Sequence, residues 1–150
     1  TQWSIIVRGM GGFGGHAPPR SDDPSPPKGL APCFRHEQLT TPEQAALYRL
    51  SGDTNPLHID PDFAKSVGFD RGPILHGLCT FGFAARAIIR GFCDGDSARL
   101  KFISGRFQKP VWPGETLVTE AWQLDDRIVF QTSSKERSEV VLGFAWARVK

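Results

Sequence analysis

The sequence is short of cysteine and has no C-x-x-C pair. Its three cysteines, Cys33, Cys79 and Cys93, cannot close into a disulfide framework and lack the spacing of a zinc site. They read as buried or free thiols of a reducing compartment. Long apolar runs are missing too: nothing approaches the roughly 20 residues of a membrane span, and the patch from Ile5 to Val7 is far too short for a signal-peptide core. Charge of one sign is not in excess. A net charge of +2 is too weak to point to nucleic acid by bulk electrostatics. The final Arg148-Val149-Lys150 carries no C-terminal address signal. What is present is a chain of 150 residues, 39% hydrophobic and 23% charged, ordinary for a globular domain with room for one core.

Breakers crowd the first thirty residues, which hold six Gly and five Pro. Trp3–Val7 escapes them and is β-branched and apolar enough for a strand. Residues 9–32 then read as a linker or a draped loop. A lone strand before a linker looks like the last strand of a preceding unit. Gly9-Met10-Gly11-Gly12-Phe13-Gly14 fits G-x-G-x-x-G. The dinucleotide fingerprint needs a helix to open there, and Gly15-His16-Ala17-Pro18-Pro19 cannot supply one.

Helices come next. Thr41-Pro42-Glu43-Gln44 predicts a capping box, with Thr41 as N-cap and Gly52 as the stop. Asp60 and Pro61 predict a second short helix ending at Gly68. A third and longer helix is expected from about His76 to Phe92. Its apolar face is Leu78, Phe81, Ala85, Ile88, Ile89 and Phe92, widened by Leu75, Cys79 and Phe83, and Gly82 is expected where another backbone approaches closely. Four strands follow, at 99–109, 116–124, 127–134 and 139–149, with Asp125-Asp126 as a tight hairpin turn. The last strand is expected to turn Val140, Leu142, Phe144 and Trp146 to one face, and at a sheet edge it would invite pairing. Early helices and a late antiparallel meander predict an α+β fold, a curved sheet wrapped round the long helix.

The densest polar constellation is Tyr48–Pro61. Pro56 pushes Asn55 out of the α region, so the chain after Gly52 bends, and Asp53 and His58 can converge. An Asp and a neutral His around one water make an acid–base pair. The local alternative is that Asp53 caps a turn and His58 bonds a carbonyl. A second constellation, Gly72–Leu78, leads into the long helix, whose N-terminal N–H groups suit a developing negative oxygen. Gly77 leaves that approach open, or else only permits tight packing. A third, Gly105–Gly114, ends a stretch from Ala84 to Lys109 with six cations against two carboxylates. It suits a phosphate-bearing ligand, or a sheet edge guarded by Lys and Arg.

Together Tyr48–Pro61, Pro73–Phe83 and Arg106–Gly114 resemble the (R)-specific enoyl-CoA hydratase 2, or MaoC-like dehydratase, family. The likeness is to the C-terminal hotdog half, as in the peroxisomal multifunctional enzyme type 2. It implies the hotdog fold and reversible hydration of trans-2-enoyl-CoA to (3R)-hydroxyacyl-CoA in fatty-acid β-oxidation or related acyl-CoA metabolism. Carried over by motif, Asp53 and His58 are the catalytic pair and Asn55 supports them, with Asn55, Pro56 and Leu57 counted among the oxyanion- or substrate-binding residues. The Gly77 N–H polarises the thioester carbonyl, Phe107 lines the substrate site, and Arg106 and Lys109 are placed to meet CoA phosphates. No cofactor and no metal is expected. The partners implied are an acyl-CoA substrate and a second hotdog, as an N-terminal half or another subunit. On this reading residues 1–32 are a strand of a preceding hotdog half plus linker, and 33–150 are the catalytic hotdog. The location implied is peroxisomal in a eukaryote and cytoplasmic in a bacterium. Relatives that dehydrate acyl-carrier-protein substrates or cleave thioesters are the alternative within the superfamily. A non-catalytic acyl-binding module is the alternative outside it.

Overall fold

The computed structural model describes residues 1, 2, 4, 11–16 and 23–150; the expected strand at Trp3–Val7, apart from Ser4, and part of the glycine run lie outside them. In chain order the elements are β1 (Phe34–Leu39), α1 (Gln44–Arg49), a 3-10 turn (Pro56–His58), α2 (Pro61–Ser66), α3 (Gly77–Phe92), a 3-10 turn (Ser97–Arg99), β2 (Leu100–Phe107), β3 (Thr116–Leu124), β4 (Arg127–Ser134) and β5 (Glu139–Val149). All five strands form one antiparallel sheet in the order β1-β3-β4-β5-β2. The concave face packs on α3, which is the α+β, hotdog arrangement expected. Asp125 takes φ 48° and closes the β3–β4 hairpin.

The core joins α3 to the sheet through Ala84 and Ile88 against Ala121, Ile128, Phe130, Leu142, Ala145 and Ala147. A second cluster, Cys79, Phe83, Leu75, Ala45, Val111, Leu117 and Val141, fills the end of the helix nearest its start. The buried face of α3 is Cys79, Thr80, Phe83, Ala84, Ala87 and Ile88. Of the expected face, Ile88 is buried and Phe81 and Phe92 pack against the core, whereas Leu78 is 42% exposed. Gly82 also fails its expectation, since an added Cβ there would meet nothing within 4 Å. The close approach occurs at Gly91, where a Cβ would lie 2.7 Å from the Phe34 ring.

Two further expectations are corrected. The capping box does not form: α1 begins at Gln44, with Glu43 at the N-cap position and no side-chain cap. The Thr41 hydroxyl has no part in it, while its carbonyl accepts from Gln44 N at 3.0 Å as a turn. α2 behaves as expected, with Asp60 Oδ1 accepting from Asp62 N and Phe63 N. In β5 the apolar face changes parity. Leu142 points to the core, but so do Ala145 and Ala147. The slip falls at Phe144, whose φ of 48° marks a bulge. A one-residue slip turns every later side chain to the other face, so Phe144 is exposed and Ala145 takes its place. Nor is β5 an edge, because β2 and β4 flank it.

Residues 23–32 drape over the outer face of the sheet. Trp122 Nε1 donates to Leu30 O at 2.8 Å, and Arg106 grips Asp23 Oδ2 from Nε at 3.0 Å and Nη2 at 2.8 Å. β1, which the composition of 33–40 does not announce, pairs along β3 from Phe34 to Leu39.

Candidate active site

The bend after α1 is held from several directions. Arg49, in the last turn of α1, donates to Thr54 O at 2.7 Å. Asn55 N donates to Asp53 Oδ1 at 3.2 Å, and Asn55 Oδ1 accepts from Leu57 N at 3.0 Å, opening the 3-10 turn with Pro56 in its first position. The segment before α3 lies alongside. Ile74 N donates to Leu57 O at 3.4 Å, Leu75 N donates to Val111 O at 2.7 Å, and Trp112 Nε1 donates to Gly72 O at 3.2 Å.

These ties bring Asp53 and His58 together. His58 is buried, and its Nδ1–H donates to Ile74 O at 2.8 Å. A carbonyl can only accept, so Nδ1 carries a proton, and in the neutral ring Nε2 is the nitrogen with the lone pair. The local alternatives read from the sequence are both realised: Asp53 closes a turn and His58 bonds a carbonyl. Neither uses up the residue, because Asp53 Oδ2 and His58 Nε2 are left for chemistry.

A third residue completes the group. The His76 ring stacks on that of His58 with centroids 3.7 Å apart and packs against Tyr48 at 4.7 Å. Its Nε2–H donates to the Asp53 carbonyl at 3.3 Å. Sequence reasoning gave His76 no role; its signal was its place directly before Gly77. Burial, and then the neighbouring His58, push the His76 pKa below its ordinary 6.5, so it rests neutral. Cys79, one turn into α3, is pushed up to about 11 by burial and stays a thiol. Asp53, His58 and His76 each bring a possible ligand atom within 4.8 Å of the others. Yet the two rings lie face to face, with centroids 3.7 Å apart and 27° between their planes. The arrangement suits proton transfer better than coordination.

Gly77 opens α3, with no side-chain cap on the helix. Its N–H, in the first turn, has no intrahelical acceptor. The Phe107 ring covers it so closely that a Cβ at residue 77 would lie 3.2 Å from that ring. The tight-packing reading of Gly77 therefore applies. Phe107 is 48% exposed. Its neighbour Arg106 turns the other way and lies with Asp23 and the Phe144 ring. Lys109 lines a cleft of about 420 Å³ with Ser25, Pro26, Gln131 and Phe144. The structure thus brings Asp53, Asn55, Pro56, Leu57, His58 and His76 into one place beside Gly77 and Phe107. Arg106 and Lys109 stand apart with the draped segment.

Residues 25–143 match the family model described as the MaoC-like domain. The chain is 52% identical over 147 residues to the peroxisomal enoyl-CoA hydratase 2 of Arabidopsis thaliana, covering 93% of this chain and 47% of that protein. It is 49% identical over 150 residues to the peroxisomal multifunctional enzyme type 2 of Mus musculus, covering 97% of this chain and 20% of that one. Among solved structures, a MaoC-like dehydratase from Phytophthora capsici superposes with a TM-score of 0.88 at 46% identity, covering 95% of this chain and 50% of that one. The chain thus spans half or less of the length of these relatives.

Proposed function

The chain belongs to the family of MaoC-like domains, and on that premise we propose that it hydrates trans-2-enoyl-CoA to (3R)-hydroxyacyl-CoA. The observation that carries the reading is the convergence of Asp53 and His58 beside the first N–H of α3. The Asp53 carboxylate holds a water by hydrogen bonding, and His58 Nε2 takes one of its protons as the oxygen adds to C3. The C2–C3 π electrons move toward the thioester, whose oxygen gains negative charge against the Gly77 N–H and the positive end of α3. A proton returned from the imidazolium to C2 completes the addition, and His58 ends neutral. Asn55 fixes the bend that aims Asp53, and Pro56 and Leu57 carry His58 into place. Phe107 shields the Gly77 side of the thioester.

For the CoA moiety, Lys109 and Arg106 meet the phosphates, with Arg106 exchanging the Asp23 carboxylate for one of them. The acyl tail lies in a second hotdog, an N-terminal half or another subunit, with 33–150 as the catalytic half. The half-length match to the relatives supports this. In a eukaryotic source the enzyme works in the peroxisome, where the plant and mouse relatives are named for; in a bacterial source, in the cytoplasm. The test is product analysis. Crotonyl-CoA should give the (3R)-hydroxy thioester, while a saturated acyl-CoA should release no free thiol. Thiol release without hydration would make the chain a thioesterase, and tight binding without either would make it an acyl-binding module.

A further inference from the structure

We propose that His76 is a positioning residue that fixes both members of the catalytic pair at once, an inference that rests on the hydratase reading above. Its ring lies 3.7 Å from that of His58, with 27° between the planes, and sets the plane in which His58 Nε2 points. Its Nε2–H holds the Asp53 backbone carbonyl at 3.3 Å, so the loop carrying Asp53 is tied to the start of α3. The next residue is Gly77, whose N–H faces the thioester oxygen. One side chain therefore sets the distances among base, carboxylate and oxyanion donor, and misplacement on the scale of 1 Å can cost ~100-fold in rate.

Packing alone does not explain a histidine here. His76 is 1% exposed, and its Nδ1 is a buried polar atom with no protein partner. Burying a polar atom without a hydrogen bond is unfavourable, and an apolar ring of the same size would fill the space without that cost. The bond to Asp53 is what the nitrogens supply. Burial keeps the ring neutral, so it stacks on His58 without opposing the positive charge that His58 carries during turnover. Tyr48 also packs against the ring, with centroids 4.7 Å apart.

Three substitutions separate the two contacts. His76→Phe keeps the ring and loses the donor, His76→Gln keeps a donor and loses the ring, and His76→Ala loses both. Turnover of crotonyl-CoA should fall about 10-fold in each of the first two and about 100-fold in His76→Ala, with KM within about twofold in all three because the substrate contacts remain. In a His58→Ala background the further loss caused by His76→Gln should shrink below about twofold. Equal losses in both backgrounds, or a rise in KM with kcat unchanged, would overturn the proposal.

A second readout needs no turnover. Nitrogen NMR of the wild-type imidazoles should show His58 as the Nδ1–H tautomer and His76 as the Nε2–H tautomer. In His76→Gln and His76→Ala, where the stack no longer holds the His58 ring against the Ile74 carbonyl, the His58 resonances should shift and broaden. A His76 protonated on Nδ1 in the wild type, or a His58 spectrum unmoved by both substitutions, would refute the positioning role. The wild-type spectrum decides even where a variant does not fold. A wild-type chain inert toward crotonyl-CoA but showing these spectral changes would sink the hydratase reading alone.

Discussion

At the scale of single residues, His76 links the site to stability. Its pKa in the folded chain lies below the ordinary 6.5, chiefly through burial. Between the folded value and 6.5 the unfolded chain binds more protons than the folded one. The stability due to a neutral buried ring is therefore fully present above about pH 6.5 and is lost as pH falls from there toward the folded value. His36 is lowered too, by burial and then by Arg90 and Arg86, and adds to the same window. Thermal unfolding followed from pH 8 to pH 5 should show a fall in Tm that begins near pH 6.5 and is shallower in His76→Phe; equal slopes would mean that His76 titrates freely. Gly77 makes a second prediction at this scale. Gly77→Ala keeps the N–H but puts a Cβ 3.2 Å from the Phe107 ring, so the ring must give by a few tenths of an ångström. Enoyl-CoA turnover should fall about 10-fold through misplacement of the donor while the melting curve stays near wild type. Unchanged turnover would show that Phe107 yields freely.

Among the elements, the loop before β3 is held by an ion-pair network. Glu115, buried, accepts from Arg137 Nε at 2.8 Å and Nη2 at 3.1 Å, and from the Trp112 amide at 3.2 Å. Arg137 also donates to Pro110 O at 2.7 Å and pairs with Glu139, while Arg71 reaches Glu115 and stacks on Trp112. Val111, in the same loop, receives the Leu75 N–H next to His76. Arg137→Met would strand the buried Glu115 carboxylate and should cost about 3 kcal/mol by urea unfolding. A loss below about 1 kcal/mol would mean that Arg71 replaces it. Nothing in the sequence marked this pair, because Glu115 and Arg137 are distant in sequence and meet only once β3 and β4 form their hairpin. Boundaries set by local signals were legible: the bounds of β3, β4 and β5, the Asp60 cap and the start of α3. Features decided by tertiary contact were not. Leu142 and Ala145 share the core only through the bulge at Phe144, Gly91 owes its tightness to the Phe34 ring, and β1 is a strand because β3 offers it an edge. In the site, Asp53 and His58 were legible because Asn55-Pro56 forces the bend between them. His76 was not, since its stacking partner lies across two turns of chain.

At the scale of the whole molecule, β1 and β2 end the sheet among the described residues, and Phe102 on β2 is 41% exposed. An open edge with exposed apolar side chains favours pairing with another sheet. Sedimentation at the assay concentration should show a dimer, or activity only when a second hotdog is added; a fully active monomer would contradict this. The central claim is that Asp53 and His58 hydrate an enoyl thioester. It is tested most directly by the initial rate at which crotonyl-CoA loses its enoyl absorbance, measured for the wild type, Asp53→Asn and His58→Ala at one enzyme concentration. The account predicts rapid loss with the wild type and a fall of more than about 100-fold with each variant. A near-normal rate in either variant would contradict it.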